Sequence, residues 1–328
     1  MIRLNSEEFR EQLDAFDEAV CRTPDIDHFC SASPWALSAF EELTFDHELW
    51  ALAAEEVDGY VALSYGSHER IGRYLQPLEA SWGLCAPIIG EDIAPIVAEF
   101  SEFARSVTDE WDLLFLSGLV EGSAQFVELI RAFQRDHFVG LGPAMGRMSA
   151  SLEGGLEGFL SRRSSKFRSN MRRARRKAAE RGIEYEYIGG VDTSEEALAV
   201  FDRIIDIEKT SWKGEQAAGI ATGRMNRFYR KMVPRLAERD MMRVVFATLD
   251  GTDLAYCFGG VMMNTYRGLQ MSYHNDYRDL SPGNLVQLEM IEELCADGVE
   301  VYDMGQAMDY KSSWTDDELE TVALIVRS

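Results

Sequence analysis

The sequence predicts an α/β protein built twice over, each half a mixed, mainly antiparallel sheet flanked by helices. Three observations predict it. First, two stretches read as strand, Asp-Gly turn, strand: HELWALAAEEVDGYVALSYG around Asp58-Gly59 and MMRVVFATLDGTDLAYCFGG around Asp250-Gly251. Asp-Gly between apolar runs is a strong hairpin signal, because both positions accept positive φ. Second, each hairpin is followed by a helical pattern and a short apolar strand: EDIAPIVAEFSEFARSV then WDLLFLSG, and NLVQLEMIEELCADG then VEVYDMGQ. Third, the spacing is nearly constant, with 54 residues from Asp58 to Asp112 and 53 from Asp250 to Asp303. An internal duplication explains this; chance recurrence of short hairpins is the alternative.

The elements follow in order. SEEFREQLDAFDEAV opens the chain as a helix with Ser6 placed to cap it. GLGPAMGRMSASLEGG, rich in glycine and small residues, reads as the boundary, giving domains 1–150 and 151–328. Beyond it, Phe167, Met171, Ala174 and Ala178 fall at helical spacing, so FLSRRSSKFRSNMRRARRKAAERG reads as a helix with one apolar stripe, stopped by Gly182. TSEEALAVFDRIIDIEKTSW and GRMNRFYRKMVPRLAERD read as two further helices, the first capped by Thr193 or Ser194.

Charge is unevenly spread over the 328 residues, whose formal net charge is −23. Residues 1–150 hold 27 acids against nine arginines and no lysine, about −18. Residues 159–182 hold ten cations against one acid, Glu180. The acidic remainder argues against a DNA-binding role but leaves room for a local cationic site. Like charges one turn apart repel by a few tenths of a kcal/mol per pair, a cost that a purely structural helix could avoid. Arginine forks meet phosphate in a bidentate way. The helix therefore suits an anion: the phosphates of a cofactor, a tRNA, or an acidic acyl carrier protein. The plainer reading is a solvated basic face paired with acids of the first half.

No apolar run approaches the ~20 residues of a membrane span, and the N-terminus lacks the apolar core of a signal peptide, which reads as a cytoplasmic protein. The five cysteines lack a CxxC pair and the five histidines lack ligand spacing, so no metal site is expected.

From Leu156 to Trp314 the residues resemble the CelD-like branch of the GNAT acyltransferase superfamily, related to the FemABX aminoacyltransferases. The likeness rests on the basic helix, the Trp212-Lys213 pair, Pro282-Gly283 opening a later helix, and the closing run VEVYDMGQAMDYKSSW. Such families carry two GNAT-like domains in tandem. The resemblance implies acyl-CoA, acetyl-CoA or longer, as co-substrate. In GNAT enzymes a loop of the form Q/R-x-x-G-x-G/A cradles its pyrophosphate; here only Arg278, Gly283 and Asn284 correspond.

The residues suggest matching roles. Pro282, Gly283 and Asn284 sit at a helix N-terminus, whose free N–H groups attract anions, with Arg278, Arg172 and Arg176 as added cations. Asp303 ends a strand and suits orienting an amine or taking its proton, or simply capping a turn. Lys311 suits neutralising charge on the acyl oxygen, and Tyr310 suits protonating the leaving group. Glu208, Trp212, Lys213, Tyr273 and His274 form the expected acceptor side. Cys257 and Cys295 lie in apolar patterns, so a cysteine thioester is not expected. The expectation is an N-acyltransferase in which an amine attacks the acyl donor directly in a ternary complex. Aminoacyl transfer from a charged tRNA is the alternative, and a ligand-binding module without catalysis is the third.

Overall fold

A computed structural model describes residues 1–44, 46–211 and 219–328. The chain divides into two compact units, Met1–Gly146 with Glu320–Ser328, and Arg147–Leu319. The first contains β1 (Ile2–Leu4), α1 (Ser6–Glu11), α2 (Leu13–Arg22), α3 (His28–Ser31), α4 (Ser33–Leu43), β2 (Glu48–Ala53), β3 (Gly59–His68), β4 (Gly72–Pro77), β5 (Ile88–Gly90), α5 (Ile93–Ser106), β6 (Leu113–Val120) and α6 (Ala124–Phe133). Strand β7 (Phe138–Ser151) carries the chain onward. The second contains α7 (Gly155–Ser161), α8 (Ser165–Arg181), β8 (Glu184–Gly189), α9 (Ser194–Thr210), α10 (Gly223–Glu238), β9 (Met242–Leu249), β10 (Thr252–Met262), β11 (Thr265–Tyr273), α11 (Pro282–Ala296) and β12 (Val301–Gln306). Strand β13 (Asp317–Arg327) closes the chain.

The two units repeat one topology. In the first, strands run β1-β2-β3-β4-β6-β13, with β5 beside β3; in the second they run β8-β9-β10-β11-β12-β7. Each is an antiparallel meander whose last strand gains a parallel neighbour through a helical crossover. That neighbour is β6 beside β4 (Tyr74↔Leu113, Leu75↔Leu114) and β12 beside β11 (Thr265↔Val301 to Arg267↔Asp303). Each sheet then ends on an antiparallel strand remote in sequence, β13 against β6 and β7 against β12. The expected α/β fold of mixed, mainly antiparallel sheets flanked by helices is the observed one.

Both cores follow the apolar periodicities. In the first unit α5 and α6 bury Ile96, Phe100, Leu129 and Phe133 against Leu63, Leu114 and Leu116 of the sheet. Val322, Leu324 and Val326 of β13 join that core. In the second unit α11 buries Leu285, Val286, Leu288 and Ile291 with Val245, Ala255 and Tyr266. Helix α8 docks through the expected stripe: Phe167, Met171 and Ala178 are buried and Ala174 packs beside them. The Ser164 side chain caps its start and Gly182, at φ 76, ends it.

Some local expectations change. Asp250 and Gly251 both take positive φ, 51 and 77, as a tight hairpin turn requires. Asp58 and Gly59 do not; they close a longer loop in which Ala54 N–H donates to Gly59 O. The first helix is capped by Asn5, not Ser6. Asn5 accepts from Glu7 and Glu8, and the Glu8 side chain accepts from the Asn5 amide. The glycine-rich stretch at 140–151 belongs to β7. Trp212 and Lys213 lie outside the described residues.

Truncation after Leu319 removes β13 and uncovers β6. The expected result is fast amide hydrogen exchange throughout Leu113–Val120, with β9 and β10 still protected. Unchanged protection in β6 would contradict the pairing.

Candidate functional site

Strands β11 and β12 pair over only three residues. After Arg267↔Asp303 the register stops, although β11 continues to Tyr273 and β12 to Gln306. The strands part, and the gap is lined by Cys257, Gly268 to Met271, Gln287, Tyr302, Met304, Tyr310 and Lys311. It encloses about 80 Å³. This is room for two or three waters at ~30 Å³ each, or for a short chemical group.

The vertex of the gap is an ion cluster. Asp303 is buried, and its Oδ2 lies 3.2 Å from both Arg267 Nη2 and Arg147 Nε. Its Oδ1 accepts from Gly305 N–H at 2.6 Å. Arg267 is buried too. Gly305 takes φ 72, a left-handed conformation that turns the chain just past the vertex. Asp303 thus ties β7, β11 and β12 together at the vertex.

The turn aims two carbonyls at Lys311. Its Nζ donates to Met304 O at 2.7 Å and Gln306 O at 2.6 Å. Lys311 is buried, 7% exposed. Burial pulls its pKa down to about 8; Asp303 opposes the shift and Arg267 adds to it. Nζ also lies 5.8 Å from the centre of the Tyr310 ring. Tyr310 is 56% exposed, with its hydroxyl pKa raised by desolvation and then by Cys257. The segment from Met308 to Asp316 is anchored from beneath. Trp314 packs edge-on against Phe167 at 4.9 Å, and Arg163 pairs with Asp316 at 2.8 Å.

Cys257 closes the bottom of the gap, with its Sγ 3.7 Å from Tyr266 OH and 3.6 Å from Tyr302 OH. Burial pushes this thiol up to about 11. It is therefore protonated at neutral pH and a poor nucleophile, in keeping with the sequence reading.

Helix α11 starts beside the gap. Gly283 sits so close to β11 that a Cβ there would meet Met271 Sδ at 2.8 Å and Tyr273 Cδ1 at 3.0 Å. The free amides expected at this helix start are largely used. Pro282 has none, and the Asn284 and Leu285 amides donate to Ser281 O. The cations come instead from α8. Arg173, Arg176, Lys177 and Asn170 line a cleft of about 480 Å³ together with Ser281 and Asn284.

The ten basic residues do not act alike. Arg175 pairs with Glu289 and Glu292, Lys177 with Asp279, and Arg176 with Glu180 at 3.7 Å. These acids belong to the second unit, not to the first half as the plainer reading had it. Arg173 has no hydrogen-bond or ion-pair partner among the described residues.

Of the residues singled out by sequence, the structure gathers Lys311 and Tyr310 at the gap, with Asp303 at its vertex. Gly283 packs on β11 where Tyr273 ends it, and Asn284 and Arg176 share the cationic cleft. Arg172 lines a different depression, with Leu160, Arg168 and Arg175. Arg278 is exposed and lines neither. His274 caps the turn after β11, its Nδ1 accepting from Asp276 N–H at 3.3 Å. Glu208 is buried at the end of α9, where its Oε2 accepts from Tyr256 OH at 3.0 Å; it does not line the gap. Sequence reading missed Arg147, Arg267 and Gln287. A lone arginine in the strand pattern TYRGLQMSY was the available signal, since a charge there needs a buried partner. Among the described residues no group of His, Cys, Asp or Glu could hold a metal ion, and no helix is long and apolar enough to cross a membrane.

Comparison with known proteins agrees with this geometry. Residues 165–312 match the family model of an acetyltransferase (GNAT) domain. The crystal structure of FemX superposes with a TM-score of 0.69 at 12% identity, covering 98% of this chain and 97% of that one. A conserved protein of unknown function from Bacteroides thetaiotaomicron gives 0.61 at 11% identity, over 96% and 97%. The C-terminal domain of a putative lysylphosphatidylglycerol synthetase from Agrobacterium fabrum gives 0.58 at 12%, over 97% and 92%. No curated protein sequence matches the chain. Residues 165–312 are thus similar to a GNAT acetyltransferase domain, and the chain as a whole has the fold of FemX.

Two stability measurements check the site. Asp303→Asn removes the charge that Arg147 and buried Arg267 share and weakens the acceptor of the Gly305 amide, so urea unfolding should show a loss of about 1–3 kcal/mol. A loss below 1 kcal/mol would mean that the cluster is not held as described. Lys311→Met tests the desolvated lysine. Its folded pKa lies below the unfolded value of 10.5, so the unfolded chain binds more protons between about pH 8 and 10.5. The wild type therefore gains stability from Lys311 as pH rises through that window. The advantage of Lys311→Met should be largest below pH 8 and shrink by pH 10; a difference constant with pH would contradict this.

Proposed function

We propose that the second unit transfers an acyl group from acyl-CoA to an amine, with the donor's thioester arm lying in the gap between β11 and β12. The observation that carries this reading is the parting of the two strands after Arg267↔Asp303. It exposes backbone edges along an open slot with Lys311 in its wall. The thioester end of a pantetheine arm suits such a slot, because the amide next to it finds a partner in an unpaired strand edge while the rest of the arm lies outside. The donor's phosphates would then lie past Gly283, in the cleft lined by Arg173, Arg176 and Asn284.

The chemistry is direct attack. The amine nitrogen bonds to the acyl carbon, the carbon–sulfur bond breaks, the amine loses one proton, and the leaving thiolate gains one. Lys311, charged below about pH 8, faces the developing oxyanion. Tyr310 is placed to protonate the leaving sulfur. Asp303 fixes the strands and, through the Gly305 turn, the carbonyls that hold Lys311. None of the described residues that line the gap is a carboxylate, and we assign the amine proton to water. Orientation of the two reactants supplies most of the rate.

Aminoacyl transfer from a charged tRNA is the second reading. The observation favouring it is that arginines line two depressions on α8, more cationic surface than one pyrophosphate uses. An acidic acyl carrier protein would meet the same surface. A ligand-binding module without catalysis would keep the cationic cleft and tolerate substitution of Lys311.

Lys311→Ala should cut kcat/KM at least 100-fold with acetyl-CoA and a panel of primary amines, while its melting temperature stays near that of wild type. In the wild type kcat/KM, expressed per neutral amine, should fall as pH rises through about 8, as Lys311 loses its charge. Activity that instead rises through pH 8 and is spared in Lys311→Ala would overturn the role. Arg173→Glu with Arg176→Glu should weaken CoA binding at least tenfold in low salt and less at high salt. Unchanged CoA binding with lost tRNA binding would favour the second reading.

A further inference from the structure

The gap between β11 and β12 holds a polar side chain that the proposed reaction does not use. Gln287 lies one turn beyond Gly283 on α11, in the run LVQLEMIEEL. It lines the gap and is 3% exposed. Its neighbours Leu285, Val286, Leu288 and Ile291 are buried in the core. A leucine would pack there without desolvating a polar group, whereas a buried carboxamide is costly unless it is hydrogen-bonded. Gln287 makes one weak bond of this kind, from Nε2 to Met304 Sδ at 3.9 Å. Its Oε1 meets no donor among the described residues, yet it is not sealed from solvent. A thioether sulfur only accepts, so turning the carboxamide over would set two acceptors against each other. The accepting end is therefore the one left for a ligand.

The other polar side chains of the gap are engaged. Tyr302 OH and Tyr266 OH share Cys257 Sγ. Gln270 Nε2 donates to Tyr229 OH at 3.0 Å. Lys311 gives two N–H groups to Met304 O and Gln306 O, which leaves the third for the acyl oxygen. Tyr310 is largely exposed. At ~30 Å³ for each water-sized group, about 80 Å³ admits a thioester carbonyl and a very short chain beyond it.

We propose that Gln287 selects the acyl group: its Oε1 accepts a hydrogen bond from a hydroxyl on the carbon next to the thioester carbonyl, so the donor is a short hydroxyacyl thioester. The inference rests on the reading that the gap takes the acyl end of the donor. Three other ends fit less well. A plain alkyl end covers Oε1 without giving it a donor. A carboxylate end offers it no hydrogen. An ammonium end offers one, but it would share the small space with the Lys311 cation, and like charges repel strongly where the dielectric is low. A hydroxyl is neutral, small and a donor. A site built to bond a hydroxyl also rejects the analogue lacking it far better than an apolar pocket discriminates by size.

The test is calorimetric titration of the full chain, at pH 6.5, with free CoA and with three CoA thioesters of matched size: hydroxyacetyl, propionyl and glycyl. Hydroxyacetyl-CoA should bind about tenfold tighter than either of the others. Gln287→Leu should lose the preference over propionyl-CoA while free CoA binds as it does to the wild type. Should Gln287→Leu fail to fold, Gln287→Met, unbranched and of similar length, takes its place, and the wild-type comparison needs no variant. Equal binding of hydroxyacetyl- and propionyl-CoA by the wild type would overturn the inference and leave the donor reading standing. A preference that survives in Gln287→Leu, or tighter binding of glycyl-CoA, would do the same. Absence of binding by CoA and by every thioester would overturn both.

Discussion

The second unit depends on one buried carboxylate. Asp303 is held by Arg147 from β7, Arg267 from β11 and the amide of Gly305 from its own strand. Three strands are thereby tied at the point where β11 and β12 separate. Without Asp303, the two guanidiniums would lose the carboxylate they share. With it, β12 can leave the sheet, turn at Gly305 and present two carbonyls to Lys311. The same cluster sets the lysine's electrostatics, since Asp303 raises and Arg267 lowers its pKa. Asp303, read in the sequence as a residue that orients an amine, takes its proton or caps a turn, thus also frames the lysine beside it.

The repeated topology makes the contrast between the units informative. Both carry the meander, the crossover helix and the parallel pair that begins to open. In the second unit the opening is kept and faced with Lys311, Gln287 and Met304. In the first it is filled by Leu84 to Ala86, made possible by Gly118 at φ 76. One sheet pattern therefore leaves an open slot in one place and a packed core in the other. Fold alone would treat both units alike, whereas their residues differ at the opening.

Much of this was legible in the sequence, for physical reasons. Periodicity marked the apolar stripe of α8 because a docked helix needs one, and Asp250-Gly251 marked its turn because few residue pairs tolerate positive φ twice. The basic helix and Lys311 stood out as charges in unusual company. What stayed hidden depends on distant partners. Nothing local says that Asp303 faces Arg147, far back in a glycine-rich stretch that itself resembles a linker. Glu208 looked like a site residue because it is an acid near aromatics, yet it is buried against Tyr256. The helix start at Pro282 looked rich in free amides, and the Ser281 carbonyl uses two of them. Arg172 and Arg176 are one turn apart in sequence but line separate depressions, because the apolar stripe that docks α8 divides its charged surface.

The central claim is that one slot, in the second unit, receives the acyl donor. Hydrogen exchange of the full chain with and without saturating CoA tests it most directly. The account predicts slower exchange along Gly268–Tyr273, Tyr302–Gln306 and the start of α11, with no change in β4 or β6 of the first unit. Protection confined to β4 and β6, or absent from the β11 and β12 edges while CoA is bound, would contradict it.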